Sequence, residues 1–162
     1  MVTKVDVEAA AARIAGRVRR TPVLADGGRL LKLEFTQHTG SFKARGALNR
    51  LLAAAETGEL PAAGVVAASG GNAGLAFAYA ARELGVPAEI FVPATAPAVK
   101  VARLRELDAA VVQVGSEYAE AHEAATNRVN DTGALYGHAY DQPEMVAGQG
   151  TGRARAGRAG RW

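Results

Sequence analysis

The chain has 162 residues, 49% of them hydrophobic, which is enough apolar material for one ordinary domain but scarcely for two. It contains no cysteine, which excludes disulfides and thiolate chemistry and agrees with a reducing, cytoplasmic location. The net charge of +3 depends on four arginines in residues 152–162, so the rest is near neutral and nucleic acid is not an expected partner. A secretory signal and a membrane span are not expected either, because the apolar runs are short or broken by proline.

Residues 1–60 are predicted to form a helix at 5–18, an extended segment at 21–23, a strand at 30–34 and a second helix at 43–55. The second helix carries an apolar stripe and is followed by Gly58. No second sheet is evident to cover this stripe. We therefore expect residues 1–60 to be the N-terminal part of a larger, incomplete domain whose apolar surface lacks its partners.

From residue 64 onward, predicted strands alternate with predicted helices. The strands at 65–68, 88–92, 110–114 and 134–136 start 22 to 24 residues apart, which leaves room for one helix and two short loops at each step. This spacing predicts an α/β fold with a small open parallel sheet flanked by helices. We expect the small domain to cover 61–142, a return segment to the larger domain to cover 143–151, and a low-complexity Arg/Gly/Ala tail to cover 152–162.

Two segments of this chain suggest chemistry. In the first, residues 39–47, Lys43 lies among small residues at a helix start, where the helix N-terminus and Arg45 supply positive potential that lowers an amine pKa. In the second, residues 69–74, a glycine-rich turn leads into a helix, with backbone N–H groups and the Asn72 amide as donors. Each motif by itself also fits a plain surface lysine or a plain βα turn.

Together these segments resemble the fold-type II pyridoxal-phosphate enzymes, in particular the threonine and serine dehydratases. The family's Ser-Phe-Lys-x-Arg-Gly-Ala segment is matched by residues 41–47, its Lys-x-Glu segment by 32–34, and its Ser-x-Gly-Asn turn by 69–72. Further matches at 84–88, 92–100 and 148–151 follow in collinear order. The resemblance covers about residues 15–151, which makes it more specific than one motif.

The resemblance implies pyridoxal 5′-phosphate as the cofactor, joined to Lys43 as a Schiff base, with Phe42 and Asn72 as further cofactor-binding residues. It implies that Ser69 and Gly70 lie at the substrate. The implied reaction is dehydration of a small hydroxy amino acid, such as L-threonine or L-serine, to a 2-oxo acid and ammonia. Lys43, once released, is the implied general base. No metal is implied, and the histidines His38, His122 and His138 are assigned no function because they lack metal-ligand spacing.

Departures from the family pattern leave alternatives. Serine racemases place a serine acid–base where this chain has Gly70, so a racemase is less favoured than a dehydratase. A Rossmann nucleotide binder is also less favoured, since Ser69 replaces the first glycine and no acidic residue ends the next strand. The family continues into a second half, whereas we expect the arginine-rich tail to be a frameshift product. The chain is thus expected to be truncated and weakly active or inactive, with a non-catalytic fragment or interaction module as the main alternative, and a homo-oligomer remains open.

Overall fold

A parallel sheet forms the centre of the computed structural model, which describes the backbone of residues 1–159 and the side chains of residues 1–153. The helices are α1 Lys4–Arg13, α2 Lys43–Glu56, α3 Asn72–Leu84, α4 Ala98–Arg105, α5 Tyr118–Thr132 and α6 Pro143–Ala159. The strands are β1 Val23–Asp26, β2 Arg29–Lys32, β3 Val65–Ala68, β4 Ala88–Val92, β5 Ala110–Gln113 and β6 Leu135–Tyr136. Two short 3₁₀ helices, Glu34–Thr36 and His38–Gly40, precede α2.

The four strands β3 to β6 pair in the order β5-β4-β3-β6, and every pair is parallel. Alternate residues of β3 face opposite sides of the sheet. Val65 and Ala67 belong to the core that contains α3 and α4, whereas Val66 and Ala68 pack with α5. The predicted α/β fold with a helix-flanked parallel sheet is therefore confirmed.

The apolar stripe of α2 has partners within the chain, so the expectation that it lacks them is wrong. Leu48 and Leu51 are fully buried, and α2 packs against α3 and α6. The α2 and α6 backbones approach closely, because a Cβ on Gly148 would lie 2.8 Å from the Gly46 Cα. Glycine at both positions permits this contact. Residues 143–151 therefore cover α2 with another helix rather than with a second sheet.

Other N-terminal elements differ from the prediction in extent. The first helix ends at Arg13, with Ile14 as its C-cap, instead of at the predicted residue 18. Residues 23–32 form an antiparallel two-stranded sheet, a hairpin that the sequence did not predict. Leu24, Leu30 and Leu31 on this hairpin are exposed, so the expectation of uncovered apolar surface holds here.

The C-terminal helix extends beyond the predicted return segment. α6 continues to Ala159, so the backbone of 152–159, in the predicted low-complexity tail, is helical. Thr151 and Gly152 are buried. The last part of the predicted tail, 160–162, lies outside the described residues. Within residues 1–159, no helix combines the length and apolar character needed to cross a membrane.

Candidate active site

The carboxyl ends of the parallel strands form the edge where the predicted site residues meet. β3 and β6 are neighbours and pair Val66 with Tyr136, so the loops that follow them emerge on the same edge. The loop after β3 is the 69–72 turn, and the loop after β6 contains Ala139. Lys43 reaches this edge, since its Nζ donates a hydrogen bond of 2.8 Å to the Ala139 carbonyl oxygen. The structure thus brings the lysine and the glycine-rich turn to one edge of the sheet.

A left-handed turn directs the chain into α2. Thr39 has a φ of 62° and Gly40 a φ of 76°. This region is unfavourable for a threonine and open to a glycine. Ser41 is buried, and its Oγ accepts a hydrogen bond from the Lys43 backbone N–H at 3.4 Å. Lys43 is consequently held as the first residue of α2.

The environment of Lys43 favours its neutral amine. The side chain is half-buried, and this burial lowers the pKa of Lys43 from its ordinary value of 10.5. The Nζ also lies 5.0 Å from the centre of the Phe42 ring, whose side chain is 42% exposed. A lowered pKa is what a lysine needs to attack an aldehyde near neutral pH.

The predicted contribution of Arg45 to this pKa is wrong. Arg45 is fully buried and forms an ion pair with Glu34, in which Nε and Nη2 each donate a hydrogen bond of 2.8 Å. The positive charge of Arg45 is therefore balanced locally, and burial of the lysine itself lowers the Lys43 pKa.

Glu34 is the centre of a buried polar network. Burial by itself would raise the pKa of the Glu34 carboxyl, but hydrogen bonds from Arg45 and from Thr21 Oγ1 at 2.6 Å outweigh it, and the pKa lies below its ordinary value. Lys32 Nζ donates to the Thr21 carbonyl at 2.6 Å. These motif residues thus anchor the start of α2 to the preceding loop.

The glycine-rich turn is shaped by close backbone contact. A Cβ on Gly74 would overlap the Ser69 carbonyl oxygen, so this position requires glycine. Ser69 Oγ accepts a hydrogen bond from the Gly71 N–H at 3.3 Å. Ser69 and Gly70 are half-buried, while the Asn72 side chain at the first residue of α3 is exposed. The amide of Asn72 is therefore accessible to a ligand at this edge.

Sequence reasoning missed the loop after β6. It assigned His138 no function, yet the loop that contains His138 supplies the carbonyl that binds Lys43. A backbone carbonyl leaves no side-chain signature, so the position of Ala139 could not be inferred from residue type. His38, also unassigned, stacks on Tyr79 of α3 with ring centres 4.7 Å apart and so packs the Thr39 turn against that helix.

Most of the chain matches a known family. A family model described as pyridoxal-phosphate dependent enzyme matches residues 14–154. The chain therefore belongs to this family of enzymes, and pyridoxal 5′-phosphate is the family's cofactor. The resemblance inferred from the sequence is confirmed.

Individual relatives add detail. The chain is similar to an L-threonine ammonia-lyase of Thermotoga maritima, with 41% identity over 93% of this chain and 39% of the relative. It is also similar to a serine racemase of Bos taurus, with 41% identity over 90% of this chain and 46% of the relative. Among solved structures, a threonine deaminase of T.th. matches with 39% identity and a TM-score of 0.85, over 99% of this chain and 54% of that one. The chain thus spans about half the length of these relatives, or less.

Proposed function

We propose that Lys43 is the attachment point of pyridoxal 5′-phosphate, and that the chain forms one wall of the active site of a hydroxy amino acid dehydratase. One observation carries this proposal: a half-buried lysine of lowered pKa lies at the carboxyl edge of the sheet, where the glycine-rich turn also ends. The similarity to an L-threonine ammonia-lyase supports the reaction class. L-Threonine and L-serine are the proposed substrates.

The residues present fit the chemical groups of this cofactor. An aldehyde requires an unprotonated amine, and the desolvation that lowers the pKa of Lys43 makes this form more accessible. An electron-rich ring oxygen requires a donor, and the exposed Asn72 amide at the start of α3 provides one. The exposed Phe42 ring beside the lysine offers an apolar surface to a planar ring.

The proposed roles in the reaction follow from these positions. The bound cofactor supplies an electron sink that stabilises negative charge at the substrate Cα. Lys43, released from the Ala139 carbonyl, accepts the Cα proton on Nζ. The N–H groups of the turn and the Ser69 hydroxyl bind the substrate carboxylate. The substrate loses its Cα proton and β-hydroxyl as water, and one water returns to release ammonia, so a 2-oxo acid forms with no net oxidation.

A racemase is the second candidate, because the chain is similar to a serine racemase. Racemisation needs an acid on the face of the Cα opposite to the lysine. In the proposed site that position belongs to Gly70, which carries no hydroxyl and whose ideal Cβ would lie 3.4 Å from Val92 Cγ1. The lack of a donor at this position supports elimination over racemisation.

The proposal is tested by trapping the cofactor on the purified chain. Pyridoxal phosphate and borohydride are added across a pH series, and the modified peptides are quantified by mass spectrometry. We expect the adduct on Lys43 to dominate over that on the exposed Lys4 and Lys100, with a pH midpoint below 10.5. Lys43→Arg, which keeps the cation, is the matched control and should abolish the main adduct.

Turnover is measured on the same sample as formation of 2-oxo acid from L-threonine and L-serine. Activity that disappears in Lys43→Arg would support the full proposal. Adducts spread evenly over Lys4 and Lys100 would contradict the cofactor assignment. A Lys43 adduct without any 2-oxo acid would support the cofactor assignment and show that this chain, as one wall of the active site, is not catalytic by itself.

A further inference from the structure

The loop that supplies the Ala139 carbonyl is held by side chains rather than by regular secondary structure. His138 Nδ1 accepts hydrogen bonds from the backbone N–H groups of Asp141 at 2.9 Å and of Tyr140 at 3.3 Å. Gln142 closes the loop from the other side: its Oε1 accepts from the His138 N–H, and its Nε2 donates to the Tyr136 carbonyl, both at 3.0 Å. These contacts define a clamp, residues 136–142, in which His138 is the central acceptor.

The clamp fixes the peptide that faces the lysine. Ala139 lies in the turn between His138, whose imidazole accepts, and Tyr140 and Asp141, whose backbone N–H groups donate. The orientation of the Ala139 carbonyl therefore depends on this turn. That carbonyl accepts from Lys43 Nζ at 2.8 Å and from Gln149 Nε2 at 3.4 Å. Lys43 and Ala139 are 96 positions apart in sequence, so the turn is what brings this acceptor to the amine.

We propose that His138 is a positioning residue, whose imidazole shapes the 138–141 turn so that the Ala139 carbonyl holds the Lys43 amine at the sheet edge. This inference rests on the proposed function of Lys43. Because Nδ1 accepts two N–H groups, the neutral ring carries its proton on Nε2. His138 does not contact the amine itself, and it acts through the backbone of the next residue.

The chemistry of the clamp predicts which substitutions preserve it. Asparagine at 138 retains a side-chain acceptor that bonds the backbone two and three residues on, as in an Asx turn. Leucine has a similar volume but no acceptor. Tyr140 and Asp141 are exposed, so water can satisfy their freed N–H groups. His138→Leu should therefore disturb the placement of the Ala139 carbonyl more than it disturbs global stability.

The test follows the Lys43 amine in the chain without cofactor. The pKa of Lys43 is measured by NMR titration of lysine labelled with ¹³C at Cε, in the parent, His138→Leu and His138→Asn. A carbonyl acceptor favours the ammonium form, so its loss in His138→Leu should lower the Lys43 pKa further below that of the parent. His138→Asn should restore the parent value, with the same melting temperature in all three chains.

An unchanged or raised Lys43 pKa in His138→Leu would overturn the positioning role, as would an equal change in His138→Asn. The titration uses no pyridoxal phosphate, so it decides this inference independently of cofactor binding. Failure of the proposed function has a separate signature, namely the absence of a selective Lys43 adduct in the parent chain.

Discussion

Substituting Glu34 with alanine should destabilise the fold strongly, because it leaves a buried charge without its partner. The Arg45 side chain is 0% exposed and that of Glu34 is 14% exposed. In the parent, the guanidinium donates two hydrogen bonds of 2.8 Å to this carboxylate. Without the Glu34 carboxylate, Arg45 retains only hydrogen bonds of 3.3 Å to the Arg19 carbonyl and the Thr21 hydroxyl. The Nη1 of Arg45 has no hydrogen-bond partner even in the parent.

Breaking a buried ion pair by removing one partner costs about 3–5 kcal/mol, and we expect Glu34→Ala to lower the free energy of unfolding by this amount. At about 2–4 °C per kcal/mol for a chain of this size, the melting temperature should fall by about 6–20 °C. Urea and thermal unfolding followed by circular dichroism measure both quantities. Glu34→Gln, which keeps the acceptor oxygen and loses the charge, should fall between the parent and Glu34→Ala.

A second ion pair provides the matched control. Arg13 and Glu56 also approach to 2.7 Å, but the Glu56 side chain is 55% exposed. Glu56→Ala should therefore cost only about 0.2–1 kcal/mol, as is usual for pairs at the surface. The reasoning fails if Glu34→Ala costs no more than Glu56→Ala, since burial would then not decide the value of the interaction.

Three further predictions concern the same structure. Because the pKa of Glu34 is lowered on folding, the contribution of its carboxylate to stability is complete above the ordinary pKa of 4.5 and is lost as the pH falls through the folded pKa. The unfolding free energies of the parent and Glu34→Gln should therefore converge in acid. A constant difference between them down to the acid transition would contradict this. Gly74→Ala, whose Cβ would overlap the Ser69 carbonyl, should cost about 1–3 kcal/mol in urea unfolding, and Gly70→Ala should cost clearly less; equal losses would refute the close-contact argument. If the proposed function is correct, Gly70→Ser adds an acid on the face of the substrate Cα opposite to Lys43. The ratio of racemisation to 2-oxo acid formation, measured in a chiral amino acid assay, should then rise on the order of 10²-fold. An unaltered ratio would count against the role given to this position.

Several features of the fold were predictable because their signals are local. β3 and β4 have the predicted bounds, since apolar runs bounded by glycine and proline specify short buried strands. The position of Lys43 at the start of a helix was also predictable from the small residues before it. These patterns specified the fold class and pointed to the two segments that meet at the sheet edge.

Boundaries and partners were less predictable, because they depend on contacts between distant segments. The tail from 152 lacks an apolar period, yet α6 continues through it to Ala159. The stripe on α2 was identified correctly, but its covering helix was not, since close packing of Gly46 against Gly148 depends on the path of the whole chain. A helix that packs through glycine leaves little hydrophobic signal of its own.

The sequence by itself determined which residues are present to do chemistry: a lysine shortly after a serine, an asparagine after a glycine-rich turn, and a family pattern around both. Only the tertiary structure decided their electrostatic setting. Arg45, which appeared in sequence as a charge beside Lys43, is turned into the core and neutralised by Glu34, while burial lowers the Lys43 pKa. The acceptor of the amine is the carbonyl of Ala139, and any residue can supply such a group, so only the folded chain specifies which one faces the lysine.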